Sequence, residues 1–276
     1  MQPKTDKIVI AHRGASGYLP EHTLESKAMA YAMHPDYIEQ DLALSKDDVP
    51  IVIHDIHLEA VTNVAELFPA RNRIDGRYYV IDFTFEELKR LNVTERFDPE
   101  SNKVVYPNRF PIWKSKYKLH SLQDEIELIQ GLNKSTGKKI GIYPEIKEPA
   151  FHHKEGKDIS KTVLRVLSEY GYNTMKDNCM LQCFDANELK RIRLELKSEL
   201  ILVQLLEYKG DERSLKEYAT YANGVGPWYK QLIKGRDSEG NWQSTKFVKD
   251  AHELGLVVHA YTFRADDLGD FNSFND

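Results

Sequence analysis

The stretch IVIAHRGASG, residues 8–17, decides the fold that we predict for this chain. Its four leading apolar residues lack polar alternation, which predicts a strand buried on both faces. The run stops at an imidazole and a guanidinium, His12 and Arg13. Thr23 can then cap a helix with Ala28 at the centre of its predicted buried face. A strand, a loop and a helix in this order place acid–base and anion-binding groups at the carboxyl end of a strand.

The same strand–loop–helix order recurs along the chain and predicts parallel strands with helices outside them. Polar residues fall at the ends of several different strands, which favours a TIM-type (β/α) barrel over an open doubly wound sheet. A short apolar run at 51–53 suits a hairpin with the second strand. The seven predicted core strands lie near residues 8–11, 37–44, 140–147, 180–184, 200–206, 223–226 and 256–263.

Two regions depart from a regular barrel. Residues 56–118, rich in Arg, Asn, Pro and Tyr, interrupt the alternation, and we interpret them as an inserted lobe within a single domain of residues 1–276. Only thirteen residues, Arg264–Asp276, follow the seventh strand, too few for another strand and helix. The sequence therefore predicts an α/β barrel lacking its eighth β/α unit, either because the chain is a fragment or because the barrel is open on one side.

Composition excludes several classes of protein. The 276 residues carry a net charge of −5 with both signs mixed, and no basic tract predicts nucleic-acid binding. No apolar run approaches bilayer-spanning length. The first seven residues lack the apolar middle of a secretory signal, which fits a cytoplasmic protein or an exported one without its leader. Cys179 and Cys183 are about 13 Å apart on one predicted strand, so we expect two reduced thiols rather than a disulfide.

Acidic residues are concentrated on two predicted strands. Glu39 and Asp41 are two residues apart, so both side chains point to one face. Alone, this pair would fit a solvated strand edge equally well, but Glu145 and Lys147 repeat the spacing on the next strand. Buried like charges are costly unless a cation offsets them. Because every candidate ligand is an oxygen, the pattern favours one divalent cation, magnesium or calcium, over zinc.

Two histidines follow strand-like apolar runs, and each precedes a charged residue. His12 is followed by Arg13, and His54 by Asp55. Such a pair can supply an acid and a base near neutral pH. Arg13 and Lys147 add fixed positive charge, which suits a phosphate better than a carbonyl substrate.

Other polar residues have weaker functional signals. We expect His152 to lie in a solvated loop and His120 to lie at the periphery of the lobe. Gln204, within an apolar strand, either contacts substrate inside the barrel or forms a buried amide pair.

Five short motifs resemble the glycerophosphodiester phosphodiesterase signature, in the same order and with similar spacing. They are His12-Arg13-Gly14, Pro20-Glu21-x-Thr23, Glu39-x-Asp41, His54-Asp55 and Glu145-Ile146-Lys147. Segments 143–147 and 224–227 resemble the longer, periplasmic-type branch of that family. The resemblance extends from about residue 7 to residue 264.

This resemblance implies a barrel with the inserted lobe over its mouth, and hydrolysis of glycerophosphodiesters to sn-glycerol 3-phosphate and an alcohol. In the family mechanism a glycerol hydroxyl attacks phosphorus first, and water then opens the cyclic phosphate. The residues carried over by position are the acid/base pair His12 and His54, the phosphate-holding Arg13 and Lys147, and the metal ligands Glu39, Asp41 and Glu145 around one calcium or magnesium ion.

Two departures from the family keep other functions open. The PENT segment reads Pro20-Glu21-His22-Thr23, and no closing strand follows Asp270. One alternative is a phospholipase-D-like enzyme on intact lipids, and another is a non-catalytic binding protein on a truncated barrel. The expected partner is a small glycerophosphodiester, without nucleic acid or stable membrane insertion. The oligomeric state is left open, and the branch favours a periplasmic or cell-surface location.

Overall fold

Parallel strands alternate with helices in both of the units into which the chain divides, Met1–Tyr170 and Gly171–Asp276. The computed structural model describes residues 7–207, 213–269, 271 and 273. The strands are β1 (Ile10–Ala11), β2 (Tyr37–Leu44), β3 (Pro50–Val52), β4 (Phe97–Asp98), β5 (Lys103–Val104), β6 (Gly141–Ile146), β7 (Met180–Cys183), β8 (Ile201–Leu205), β9 (Gly224–Gly226), β10 (Ile233–Arg236), β11 (Trp242–Ser244) and β12 (Val257–Val258). The helices are α1 (Leu24–Ala32), α2 (Val64–Leu67), α3 (Phe85–Leu88), α4 (Leu122–Thr136), α5 (Pro149–Lys154), α6 (Ile159–Glu169), α7 (Ala186–Leu194), α8 (Leu215–Tyr218) and α9 (Phe247–Glu253). Within those described residues, none of the helices has the length and apolar character needed to span a bilayer.

Strand β2 is the centre of the first unit. It lies between β1 and β6, and all three strands run parallel. β3 returns antiparallel beside β2, which confirms the predicted hairpin. Residues 38–44 of β2 are buried, and the register with β6 places Asp41 opposite Glu145. This pairing brings the carboxylates of two separate strands to one level of the sheet.

Strand β1 is shorter and more exposed than the sequence predicts. Ile8 and Val9 are 37% and 62% exposed, so the prediction of a strand buried from residue 8 is wrong. β1 pairs with β2 alone among the described strands. Without a second neighbouring strand, the apolar side chains at its start have less to pack against, although Val9 still accepts backbone hydrogen bonds from Asp36 and Tyr37.

Helix α1 buries a charged residue. Thr23 caps it as predicted, accepting from the Ser26 amide at 3.2 Å. The prediction for its buried face is wrong, because Ala28 is exposed whereas Lys27 is fully buried. The Lys27 ammonium lies 3.1 Å from Glu125 Oε1 on α4 and also donates to the carbonyl oxygen of Glu39. A hydrophobic pattern cannot identify a lysine that is buried because its charge is paired.

Glu125 connects the members of this buried network, which lies on the face of β2 that carries Gln40. It accepts hydrogen bonds of 2.8 Å from Gln40 and from His120. His120 is therefore buried rather than peripheral, contrary to prediction. Burial alone would raise the pKa of Glu125, but Lys27, His120 and Gln40 lower it from 4.5 to about 2.

Replacing Glu125 with Gln is expected to lower the free energy of unfolding by about 3 kcal/mol at neutral pH, because Lys27 is left buried without its countercharge. The native carboxylate contributes stability above its unfolded pKa, and this contribution is lost as pH falls from 4.5 towards about 2. Urea unfolding across that range should therefore show the two proteins converging at acid pH. Glu127→Gln, on the exposed face of the same helix, is the matched control; an equal loss in both variants would contradict the role of the pair.

Residues 56–118 contribute most of the members of one apolar core. Its members include Leu58, Phe83 and Leu91, all fully buried, and it continues into Ala43 and Ile51 on β2 and β3. The short antiparallel pair β4–β5 lies in the same segment. Our interpretation of this segment as an inserted lobe over the barrel mouth stays a prediction.

The second unit contains four parallel strands in the order β7, β8, β9 and β12. A Cβ atom on Gly224 would lie 2.5 Å from the Val257 side chain, so glycine permits close approach of β12 to β9. The seventh strand covers only Val257–Val258, less than the predicted 256–263. Cys179 and Cys183 are both buried, and neither forms a disulfide within the described part of the chain, as predicted.

Two further sequence interpretations are settled by hydrogen bonds. Gln204 donates to the carbonyl oxygens of Phe184 and Leu205 and accepts from the Tyr221 hydroxyl, so its amide serves the packing of the second unit. His152 lies on α5, buried, and accepts from the Leu44 amide at 3.0 Å. The prediction of a solvated loop at His152 is therefore wrong.

Candidate active site

The loop after β1 turns sharply so that its main chain faces β2. Arg13 has φ 58° and Gly14 has φ 89°. A Cβ atom on Gly14 would lie 2.7 Å from Ser26 Oγ, so both the backbone conformation and the space favour glycine. The Arg13 amide consequently donates to Glu39 Oε2 at 2.6 Å. This bond ties the His-Arg-Gly loop to the carboxylates of β2.

Three carboxylates lie together at the ends of β2 and β6. Glu39 and Asp41 share one face of β2, as the strand alternation predicts, and Asp41 is paired in register with Glu145. All three are at least 95% buried. Burial and the Asp41 charge raise the pKa of Glu39, and burial raises the pKa of Glu145 to about 8. Full ionisation of all three carboxylates would therefore require more positive charge than their surroundings supply.

Asp41 is the member that remains ionised. Burial acts to raise its pKa, but Lys147, His54 and His22 lower it well below its usual range. Lys147 Nζ lies 3.7 Å from Asp41 Oδ1 and donates to Glu145 Oε1 at 2.7 Å. Lys147 therefore lies against two of the three carboxylates, in the region where the sequence predicts it.

His22 belongs to this cluster, and the sequence analysis missed it. Its Nε2 lies 2.7 Å from Asp41 Oδ2, and burial together with Lys27 lowers its pKa from 6.5 to about 4. The imidazole is therefore neutral near pH 7 and donates to the Asp41 carboxylate. Its position in the loop before α1 has no periodic signal, and only the fold brings it against β2.

The two predicted acid/base histidines lie near the carboxylates and follow different strands, His12 after β1 and His54 after β3. Burial and the neighbouring Arg13 charge lower the pKa of His12 well below 6.5, with smaller effects from His22 and His54. His54 Nδ1 lies 2.5 Å from Asp55 Oδ1. Burial opposes ionisation of Asp55, but His54 and Arg96 lower its pKa well below the usual range, so Nδ1 is the donor.

The Arg13 guanidinium connects Asp41 to a further group of charged side chains that includes Glu21. Its Nη1 donates to Glu21 Oε2 at 2.8 Å, and its Nε lies 3.8 Å from Asp41 Oδ2. Arg96, from the 56–118 segment, donates to both Glu21 and Asp55. Arg96 is the second functional candidate that the sequence analysis missed, because it lies 75 residues from Glu21 along the chain.

A divalent cation fits the chemistry of this donor set. Among the described residues, Asp41 Oδ1 has no hydrogen-bond partner although it is buried, as a ligand oxygen would be. Ligand atoms of His22, Glu39 and Asp41 lie within 4.8 Å of one another, whereas the sequence predicts Glu145 as the third ligand. Five carboxylates and three cationic side chains lie together here, so ionisation of all five carboxylates would be balanced by two further positive charges. The carboxylates are Glu21, Glu39, Asp41, Asp55 and Glu145, and the cations are Arg13, Arg96 and Lys147.

Comparison with known proteins identifies the fold. A glycerophosphodiester phosphodiesterase from Agrobacterium tumefaciens superposes with a TM-score of 0.63 over 95% of this chain and 89% of its own, at 20% identity. An Oleispira antarctica phosphodiesterase, solved in complex with the product sn-glycerol-3-phosphate, has a TM-score of 0.66 at 19% identity and covers 93% of this chain and 85% of its own. The likeness confirms the TIM-type barrel predicted from the sequence.

Relatives found by sequence comparison share a much higher identity with this chain than these structural neighbours do. A glycerophosphodiester phosphodiesterase of Haemophilus influenzae is 51% identical over 98% of this chain and 82% of its own length. One of Treponema pallidum is 40% identical over 96% and 82%. The model of the glycerophosphoryl diester phosphodiesterase family matches residues 12–273, a span that begins at the first candidate acid–base histidine. The chain therefore belongs to the glycerophosphoryl diester phosphodiesterase family, which hydrolyses glycerophosphodiesters.

Proposed function

We propose that this chain hydrolyses water-soluble glycerophosphodiesters, such as glycerophosphocholine, to sn-glycerol 3-phosphate and an alcohol, with His12 and His54 as the acid/base pair. The observation that carries the proposal is that two imidazoles interact with one buried carboxylate, Asp41. The Asp41 charge acts to raise the pKa of His12, and the His54 ring lowers the pKa of Asp41. The Oleispira antarctica neighbour, whose structure is in complex with the product sn-glycerol-3-phosphate, supports this product. The Haemophilus influenzae and Treponema pallidum relatives support the reaction class.

One divalent cation, calcium or magnesium, completes the proposed site. Glu39, Asp41 and Glu145 would hold it, with His22 orienting Asp41 through the 2.7 Å hydrogen bond. Carboxylate oxygens are the ligands that these hard cations prefer. When bound, the cation supplies positive charge that stabilises the negative charge growing on the phosphoryl oxygens.

Arg13 and Lys147 would bind the phosphoryl group beside the carboxylates. The Arg13 Nε is buried and has no hydrogen-bond partner in the part of the chain that the structure describes, so it keeps a donor for a substrate oxygen. Both cations stay charged, because neighbouring carboxylates raise the pKa of each above its ordinary value despite burial. Fixed positive charges aimed at a phosphoryl group stabilise the transition state without reorganisation.

The histidines would move the protons. His12, neutral near pH 7, accepts the proton of the attacking glycerol hydroxyl as its oxygen bonds to phosphorus. His54, held through Nδ1 by Asp55, delivers a proton from Nε2 to the alcohol oxygen as the old P–O bond breaks. Water then opens the cyclic phosphate, with the two histidines exchanging roles, and sn-glycerol 3-phosphate leaves.

The test compares water-soluble and micellar substrates. We expect the chain to release sn-glycerol 3-phosphate from glycerophosphocholine, detected with glycerol-3-phosphate dehydrogenase, and to leave micellar phosphatidylcholine intact. Turnover of the intact lipid alone would favour the phospholipase-D-like alternative. Release from neither substrate, in the presence of calcium or magnesium, would favour a binding protein.

A further inference from the structure

We propose that Arg96 is a positioning residue that fixes His54 and Arg13 in one arrangement by bridging Asp55 and Glu21. Its Nη1 donates to Asp55 Oδ2 at 2.5 Å and its Nη2 donates to Glu21 Oε1 at 2.6 Å. The inference rests on the proposed function, in which His54 moves a proton and Arg13 binds the phosphoryl group. Arg96 itself touches neither His54 nor Arg13 through these bonds, so its effect passes through the two carboxylates.

Each bridged carboxylate uses its second oxygen to hold a site residue. Asp55 Oδ1 lies 2.5 Å from His54 Nδ1, and Glu21 Oε2 accepts from Arg13 Nη1 at 2.8 Å. The five side chains therefore form one continuous sequence of charged hydrogen bonds, from the His54 ring to the Arg13 guanidinium. Hydrogen bonds between ionised groups are short and strongly oriented, so rotation of any member is resisted by the others.

The chemistry of this position requires arginine. A guanidinium is planar and presents its two Nη groups in a fixed fork, so it can hold two carboxylates at a set separation. A lysine ammonium is a single point charge on a flexible chain and lacks this geometry. The Arg96 side chain is 15% exposed and Glu21 is 3% exposed. Arg96 and Arg13 keep Glu21 ionised, since burial alone would raise its pKa.

The backbone around Arg96 is held firmly enough to place its side chain. The Phe97 amide donates to the Ala60 carbonyl at 3.0 Å, and the Arg96 carbonyl accepts from the Val105 amide at 3.0 Å. Phe97 is buried immediately after it. The 56–118 segment thus supplies a side chain to the residues around the catalytic candidates, and we infer that it takes part in aligning the site.

The test is Arg96→Gln, with Arg73→Gln as its matched control. Arg73 belongs to the same segment and likewise bridges two carboxylates, Asp82 at 2.7 Å and Glu155 at 2.8 Å. Neither carboxylate forms a hydrogen bond or ion pair with a candidate site residue within the described ranges. We expect Arg96→Gln to lower kcat for glycerophosphocholine by roughly 10- to 100-fold, the range for lost supporting contacts. KM should rise as well, because Arg13 is released. Arg73→Gln should retain wild-type kcat and KM.

A double-mutant cycle separates positioning from a general structural effect. Asp55→Asn should cost less in kcat when Arg96 is already Gln, because both changes disrupt the same connection to His54. Additive losses in kcat, or an Arg96→Gln protein with the kinetics of the Arg73→Gln control, would overturn the inference. Should Arg96→Gln not fold, judged by thermal melting, then Arg96→Lys decides: reduced kcat in a folded protein supports the bridge, and full activity refutes it. A wild-type chain without activity, or an active His54→Ala variant, would instead refute the proposed function.

Discussion

Replacing His12 or His54 with alanine will lower kcat for glycerophosphocholine hydrolysis by about 10²- to 10⁴-fold, the range lost with a general acid or base. The fold should persist in both variants. The His12 and His54 side chains are both partly exposed, His54 at 29%. Neither deletion is therefore expected to leave a closed cavity in the apolar core.

Steady-state kinetics measure the loss of kcat, and thermal melting of the same preparations measures whether the fold persists. His34→Ala provides the control, because His34 is exposed and its ring contacts Lys138 rather than the site. Wild-type turnover by either variant would remove that histidine from the mechanism. Loss of activity together with a lowered melting temperature would call for His→Gln variants, which retain a polar side chain of similar reach.

Exhaustive chelation is expected to abolish turnover, and calcium or magnesium should restore it. Without the cation, burial and mutual repulsion keep Glu39 and Glu145 from ionising together with Asp41. The site then lacks both its ligand charges and the charge that stabilises the phosphoryl oxygens. Binding should also raise the melting temperature, because at 100 times Kd a ligand stabilises the native state by about 2.7 kcal/mol.

The melting shift gives a measurement independent of catalysis. Glu39→Gln keeps the acceptor oxygen for the Arg13 amide but loses one ligand charge, so the shift on adding cation should shrink strongly. Glu25→Gln, on the exposed side of α1, should respond like the wild type. Full activity after chelation, with no melting response in either protein, would exclude the cation.

Strand alternation was enough to predict which face of β2 carries the acidic side chains of the candidate site. Glu39 and Asp41 had to share a face, and parallel strands had to bring Glu145 beside them, because the side-chain period of a strand is two. The barrel class and the hairpin at β3 followed from the same kind of local pattern and are confirmed. The metal, the histidine roles and the periplasmic-type branch stay predictions.

Contacts between distant segments could not be predicted in this way. Arg96 meets Asp55 across 41 residues, and no periodicity links them. Lys27 is buried because of Glu125, so hydropathy assigned the wrong face to α1. Ile8 and Val9 are apolar but exposed, since their burial depends on a neighbouring strand and not on their own composition.

The two faces of β2 have a consequence for how this protein reaches its native state. One face carries Glu39 and Asp41, and the other carries Gln40, bonded to Glu125 at 2.8 Å. If β2 paired with β6 one residue out of register, its two faces would be exchanged. Glu39 and Asp41 would then point towards Glu125 on α4. Such a misaligned chain would be disfavoured, because Asp41 would be buried away from the Lys147 and Arg13 charges that it faces in the native register. The acidic residues proposed for chemistry thus also discriminate against misfolding, and inactive but fully folded molecules should be scarce in a refolded sample.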